Sequence, residues 1–164
     1  MNLDSIVIRP SSGSDYKSLA GIAVACPPLV EHTAFTYWVH AFNYQDYVFV
    51  AEHENSMVGF ASALPSRMAG VGLFIWQIGV LPDYRRIGIG KGLLGALVNK
   101  HPGETGFTVT VETKNMAGFK TCSSVARSRG AQMTKVCEDK FPVRTDILRN
   151  YDEILYEAKF SSNQ

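Results

Sequence analysis

Two arginines, a lysine and a run of closely spaced glycines follow an apolar strand in Trp76-Gln77-Ile78-Gly79-Val80-Leu81-Pro82-Asp83-Tyr84-Arg85-Arg86-Ile87-Gly88-Ile89-Gly90-Lys91. This pattern suits a pyrophosphate cradle. The unpaired N–H groups of a helix's first turn, at the positive end of its dipole, bind phosphate oxygens, and glycine lets the backbone approach them. Arg85, Arg86 and Lys91 add positive charge where such an anion would sit. Of two familiar glycine loops, one fails on spacing and the other matches in spacing but not in position. A Walker loop needs Ser or Thr after Gly-Lys, and Gly92 follows Lys91. Gly90-x-Gly92-x-x-Gly95, with Glu112 downstream, has the dinucleotide spacing, but it begins ten residues past the strand and inside a helical pattern.

The elements that must position this cradle can be read from periodicity. Leu73 to Val80 has strand composition and Pro82-Asp83 breaks it. Leu94, Leu97 and Val98 recur at helical spacing until His101-Pro102-Gly103. Upstream, Ser5 to Arg9 reads as a strand and Pro10-Ser11-Ser12-Gly13 as a turn. Ser14 or Asp15 caps a helix that runs to Ala25 and must end at Cys26-Pro27-Pro28. Thr33 to Phe42 reads as a second, aromatic-rich helix. Tyr47 to Glu52 and Met57 to Leu64 form a hairpin around His53-Glu54-Asn55-Ser56. Phe107 to Thr113 is a strand, Met116 to about Arg129 a helix closed by Gly130, and Tyr151 to Phe160 a last strand segment.

Composition sets the frame. At 164 residues, the chain is expected to form one domain over 1–164 with a sizeable core. A net charge of +1 offers no field for nucleic acid or a membrane surface, so the basic cluster reads as a local anion site. Cys26, Cys122 and Cys137 are odd in number, lack metal-ligand spacing and are expected to be reduced thiols; no metal is called for. The N-terminal residues lack a basic, then apolar, leader pattern, and no apolar run approaches ~18 residues, so a cytoplasmic location is the expectation.

The spacing Arg85-x-x-Gly88-x-Gly90 resembles the acetyl-CoA loop of the GNAT superfamily of N-acetyltransferases, an arginine-led (Gln/Arg)-x-x-Gly-x-(Gly/Ala). The element order is consistent with that fold: α/β (α+β), a mixed, mostly antiparallel central sheet of about six to seven strands flanked by about four helices. Cys26-Pro27-Pro28-Leu29, Val50-Ala51-Glu52, Val58-Gly59-Phe60, Phe74 to Val80 and Glu153-Ile154-Leu155-Tyr156 are similar to L-2,4-diaminobutyrate acetyltransferases of ectoine synthesis, almost end to end. That resemblance implies acetyl-CoA as cosubstrate, a small diamino acid as acceptor and a homodimer. It departs from the family at Val30 to Phe35. There the family has an Asp, a small Asn-Ser cluster and a Tyr, and this chain has Val30, His32, Thr33 and Phe35, with Glu31 the nearby carboxylate.

By the same resemblance, the backbone of Gln77 to Val80, including Ile78 and Gly79, pairs with pantetheine and offers an N–H to the thioester oxygen. An oriented donor of this kind is worth ~3–4 kcal/mol. Arg85, Arg86, Ile87, Gly88, Ile89, Gly90 and Lys91 would hold the pyrophosphate, and Asn115 the pantetheine, although an N-cap predicts the same Asn. The attacking amine must be neutral, which costs roughly 4–5 kcal/mol at pH 7 for a Lys-like group. Candidates to receive its proton are Glu31, His32, Glu52 and Glu112. A Tyr seven residues after Asn115 is the general acid in many members; this chain has Cys122, either an acid for the departing thiolate or a small buried hydrophobe. Thr33, Phe35, Trp76 and Arg67 are candidate acceptor contacts beside Glu31. Two other readings stay open: the same chemistry on another amine (antibiotic, polyamine or protein terminus), and a non-catalytic acyl-CoA-binding module.

Overall fold

In the computed structural model, residues 3–67, 70–136 and 152–161 are described, the side chain of Asp4 excepted. Cys137 and Tyr151 lie outside them. The elements are β1 (Val7–Pro10), α1 (Tyr16–Ala25), α2 (Ala34–Asn43), β2 (Val48–His53), β3 (Ser56–Ser66), β4 (Gly72–Val80), α3 (Ile89–Lys100), β5 (Gly106–Glu112), α4 (Met116–Ser128), β6 (Met133–Lys135) and β7 (Glu153–Lys159). Seven strands form a sheet in the order β1-β2-β3-β4-β5-β7-β6. β1–β2, β2–β3, β5–β7 and β6–β7 are antiparallel and β4–β5 is parallel. This is the mixed, mostly antiparallel sheet with four helices that the sequence pointed to. The chain resolves into two compact units, Met1–Leu64 with Gln77–His101, and Pro65–Trp76 with Pro102–Gln164.

In the first unit the apolar run Val48–Ala51 is paired on both edges and buried at every residue, as a strand covered on both faces is. Its hairpin partner β3 follows a two-residue turn in which Glu54 and Asn55 both have positive φ, 48° and 62°. The first strand begins two residues later than its composition suggests, because Leu3–Ser5 winds into a 3-10 turn closed by Ile6 N–H on Leu3 O. Before α1, the Ser12 N–H donates to Asp15 Oδ2 at 2.7 Å, and that carboxylate also receives Arg9 at 2.8 Å. Arg9 reaches Glu52 as well, tying β1, β2 and the start of α1 together. These bonds hold Arg9 charged, and they pull Asp15 below the usual carboxylate range against the opposing effect of burial. Glu52 is therefore half of an ion pair in the frame. Thr33 caps α2, its Oγ1 accepting from Thr36 N–H at 3.2 Å.

In the second unit β5 is buried along almost its whole length and is flanked by β4 and β7. α4 ends where Arg129 closes its last turn and Gly130 takes φ 68°, the C-terminal glycine that the sequence marks.

Candidate active site

β4 alternates along its length, burying Leu73, Ile75, Gln77 and Gly79 and half-exposing Trp76, Ile78 and Val80. Its parallel ladder with β5 covers Gly72–Ile75 against Gly106–Val109. Among the described residues that ladder goes no further, so Gln77–Val80 keeps backbone groups on that edge for something else. Gly79 sits where a side chain on the sheet face would be crowded. A Cβ there would meet Leu29 Cδ1 at 3.0 Å, Ile22 Cγ2 at 3.2 Å and Phe60 Cε1 at 3.3 Å, so the space belongs to this chain's own core.

After β4 the chain makes a 3-10 turn at Pro82–Tyr84, then Arg86 at φ 67° and Gly88 at φ 96° turn it into α3. The first intrahelical bond is Gly92 N–H to Gly88 O at 2.9 Å. The N–H groups of Ile89, Gly90 and Lys91 thus precede the helical ladder, with no capping side chain. A Cβ on Gly88 would have one neighbour within 4 Å, Leu3 Cδ2 at 3.9 Å, so the cradle is open. Arg85 is partly committed, donating from Nε to Val80 O at 2.8 Å and bracing the strand end against the loop, while Arg86 and Lys91 are exposed. Gly90, Gly92 and Gly95 lie within α3, which removes the dinucleotide reading: those glycines form no strand-to-helix turn.

A second set of groups from the same unit surrounds residues 30–32. Gln77, 5% exposed, donates from Nε2 to Val30 O at 2.7 Å and accepts from Tyr37 O–H at 3.1 Å. The His32 N–H donates to the same Tyr37 oxygen. Burial raises the Tyr37 pKa, the bonds from Gln77 and His32 oppose that, and Glu31 adds to it; the net direction is up. The His32 ring meets Tyr37 edge-on at 6.2 Å. Burial lowers the His32 pKa, and burial followed by the His32 charge lowers that of His40. His32 is half-buried and Glu31 exposed. Phe35 is 69% exposed and stacks on Trp38.

The remaining candidates belong to the second unit. Trp76 is half-buried and Arg67 exposed after β3. Glu112 ends β5 opposite Glu153, and its carbonyl accepts the Asn115 N–H at 2.8 Å. Asn115 caps α4, its Oδ1 accepting from Gly118 N–H at 2.9 Å. Cys122 is buried on α4 and its thiol is pushed up to about 12 by that burial, so it stays protonated. Cys26, like Cys122, is a buried free thiol. Among the described residues, no cluster of His, Cys, Asp and Glu is arranged to hold a metal, and no helix is long and apolar enough to cross a membrane.

The profile of the acetyltransferase (GNAT) family matches residues 17–119. The chain belongs to that family. Among its relatives, the L-2,4-diaminobutyric acid acetyltransferase of Vibrio cholerae is 27% identical over 128 residues, 77% of this chain and 74% of that protein. The Nocardia farcinica protein of the same name is 27% identical over 135 residues, covering 81% and 70%. A solved structure of the diaminobutyrate acetyltransferase EctA from Paenibacillus lautus, in complex with L-2,4-diaminobutyric acid and coenzyme A, is 26% identical, covers 97% of both chains and has a TM-score of 0.81. The Escherichia coli ribosomal-protein-S18-alanine N-acetyltransferase shares the fold at 18% identity, with a TM-score of 0.69 and coverage of 97% and 96%.

Within this acetyltransferase, the loop and the α3 start were legible from sequence, whereas the Gln77, Tyr37 and His40 side chains were missed. A local signal for Gln77 did exist. It shares the inward parity of Leu73 and Ile75, and a polar side chain at a buried strand position needs partners.

Proposed function

We propose that this chain is an acetyl-CoA-dependent N-acetyltransferase that acetylates an amine of a small diamino acid, L-2,4-diaminobutyrate, by direct transfer in a ternary complex. The observation that carries this reading is the likeness, over 97% of both chains, to a structure in complex with that amino acid and coenzyme A. This chain's own cradle fits the cosubstrate: a glycine with φ 96°, three N–H groups ahead of the ladder, and room beside the Gly88 Cα. Arg86, Ile87, Gly88, Ile89, Gly90 and Lys91 hold the pyrophosphate, with Arg85 bracing the loop. Ile78 to Val80 supply backbone groups to pantetheine and an N–H to the thioester oxygen, and Asn115 adds a contact beyond its capping bond.

In the reaction a C–N bond forms as the thioester C–S bond breaks. The ammonium first gives up a proton, and the departing thiolate takes one back. His32, kept neutral by burial, accepts the amine's proton, and Glu31 holds the ammonium before it is lost. Glu112, Trp76, Thr33, Phe35 and Arg67 are further contacts in this reading, with Arg67 for the acceptor carboxylate. Cys122, a thiol at neutral pH, is a proton donor in form. The enzyme works in the cytoplasm as a homodimer. A second reading, acetylation of a different amine, is favoured by Val30, before α2, and Phe35, in its first turn: both are exposed apolar residues in the stretch where the sequence departs from the family pattern it otherwise resembles.

The deciding experiment measures CoA release with L-2,4-diaminobutyrate, lysine, ornithine and spermidine in parallel and identifies products by mass spectrometry. Acetylated diaminobutyrate at the highest kcat/KM is expected. Turnover of another amine alone would establish the second reading, and tight acetyl-CoA binding without turnover of any amine would leave a binding module.

A further inference from the structure

Resting on the reading above, we propose that Gln77 is a positioning residue that clamps the acceptor-side segment on both sides of Glu31 and thereby fixes that carboxylate relative to the backbone of residues 78–80. The segment from Leu29 to Thr33 lies between the end of α1 and the cap of α2 and belongs to neither helix nor strand. Two contacts grip it. Gln77 Nε2 donates to Val30 O at 2.7 Å. Through Tyr37, whose hydroxyl donates to Gln77 Oε1 at 3.1 Å and accepts from His32 N–H, the same amide also holds the residue on the other side of Glu31.

The two side chains at the centre of this clamp are almost sealed from water, Gln77 5% and Tyr37 1% exposed. A buried amide whose oxygen and nitrogen are both engaged is costly to loosen, since each broken bond leaves a desolvated partner behind. Gln77 immediately precedes Ile78 to Val80, whose backbone groups the proposed function gives to pantetheine, so the clamp is built into the strand that carries the other reactant. Glu31 itself is exposed and free to meet an ammonium, while its flanking peptide groups are held. The clamp reads no substrate atom. It sets where the carboxylate stands, and small errors in such placement are expensive in rate.

The test uses Gln77→Leu, which keeps the side-chain bulk and removes both bonds, and Tyr37→Phe, which deletes one oxygen and is the milder change for folding. Amide hydrogen exchange of the peptide covering residues 29–37 is compared with that of wild type, and steady-state kinetics are run with the amine that the wild type turns over. Expected are exchange in that peptide faster by about 10-fold or more in Gln77→Leu, and kcat/KM for the amine lower by about 10- to 100-fold, with a smaller loss in Tyr37→Phe. Acetyl-CoA affinity by calorimetry stays within about twofold of wild type. Adding Glu31→Gln to Gln77→Leu brings little further loss, because the clamp acts through that carboxylate. Unchanged exchange at 29–37, equal losses for amine and acetyl-CoA, or fully additive effects with Glu31→Gln would each overturn the clamp. If wild type acetylates no amine, the functional reading falls, and hydrogen exchange alone still decides whether the clamp exists.

Discussion

The side chain on which the proton account turns is His32. Its ordinary pKa is 6.5 and burial lowers it, so at neutral pH the imidazole is in its neutral form. A protonated His32 accepts nothing. The acid limb of kcat/KM for the amine should therefore fall below pH 6.5, and His32→Asn should lose roughly 10- to 100-fold in kcat/KM and remove that limb from the pH–rate profile. A profile unchanged in the variant assigns the limb to another group. His40 is lowered in the same direction, by burial and then by His32. Both imidazoles take protons more readily unfolded than folded, so stability is complete above about pH 6.5 and is lost as pH falls through 6.5 toward the lower folded values. Thermal midpoints at pH 7.5 and 5.5 should show a drop on acidification that is smaller in His40→Gln.

The strand-loop-helix unit from β4 to α3 makes the sharpest demand on a single backbone position. Gly88 at φ 96° has no L-residue substitute without strain, and Gly88→Ala should cost about 1–2 kcal/mol. Gly88→Glu adds a carboxylate at the positive end of the helix dipole, where there is open space, so the domain should still fold while CoA affinity falls at least ~100-fold by calorimetry. Arg85→Glu should do likewise, losing the brace on Val80 O; unchanged affinity in both would dismiss the cradle. Elements with local punctuation were readable in the sequence: the Glu54-Asn55 turn, the prolines after Cys26, and Gly130 after α4 mark their own boundaries. The clamp was not readable in the same way. Gln77 lies 47 residues from Val30 and 40 from Tyr37, and a side-chain amide carries no trace of which distant partner will fill it. The Arg9–Asp15–Glu52 network was hidden for the same reason, and it made a frame residue of a carboxylate that had looked available for chemistry. Arg9→Met should cost about 1–2 kcal/mol in urea unfolding, a modest figure because these charges are partly solvated.

For the molecule as a whole, the outer face of α2 carries an unusual load. Phe35, Trp38 and Phe42 are 69%, 38% and 60% exposed and stack in sequence, with ring centroids 5.8 and 5.3 Å apart. Aromatic side chains bury about 150–250 Å² each when covered, so this stripe leaves on the order of 300 Å² in water on each copy. Covering it on two copies returns roughly 15 kcal/mol at ~25 cal/mol per Å², against association costs of about 4–15 kcal/mol. The gain matches or exceeds that cost across the range, so the stripe can form the core of the proposed homodimer, though about 1,000 Å² in total is needed for a stable interface and polar neighbours must supply the rest. Trp38→Glu with Phe42→Glu would bring four carboxylates into such a core. By sedimentation, wild type at micromolar concentration should run as a dimer and the double variant as a monomer. Because neither residue is among those assigned to the acetyl-CoA loop, the variant should keep its CoA affinity within about twofold. A wild type that sediments as a monomer would instead make the stripe a surface used for something other than self-association, and would remove the homodimer from the account.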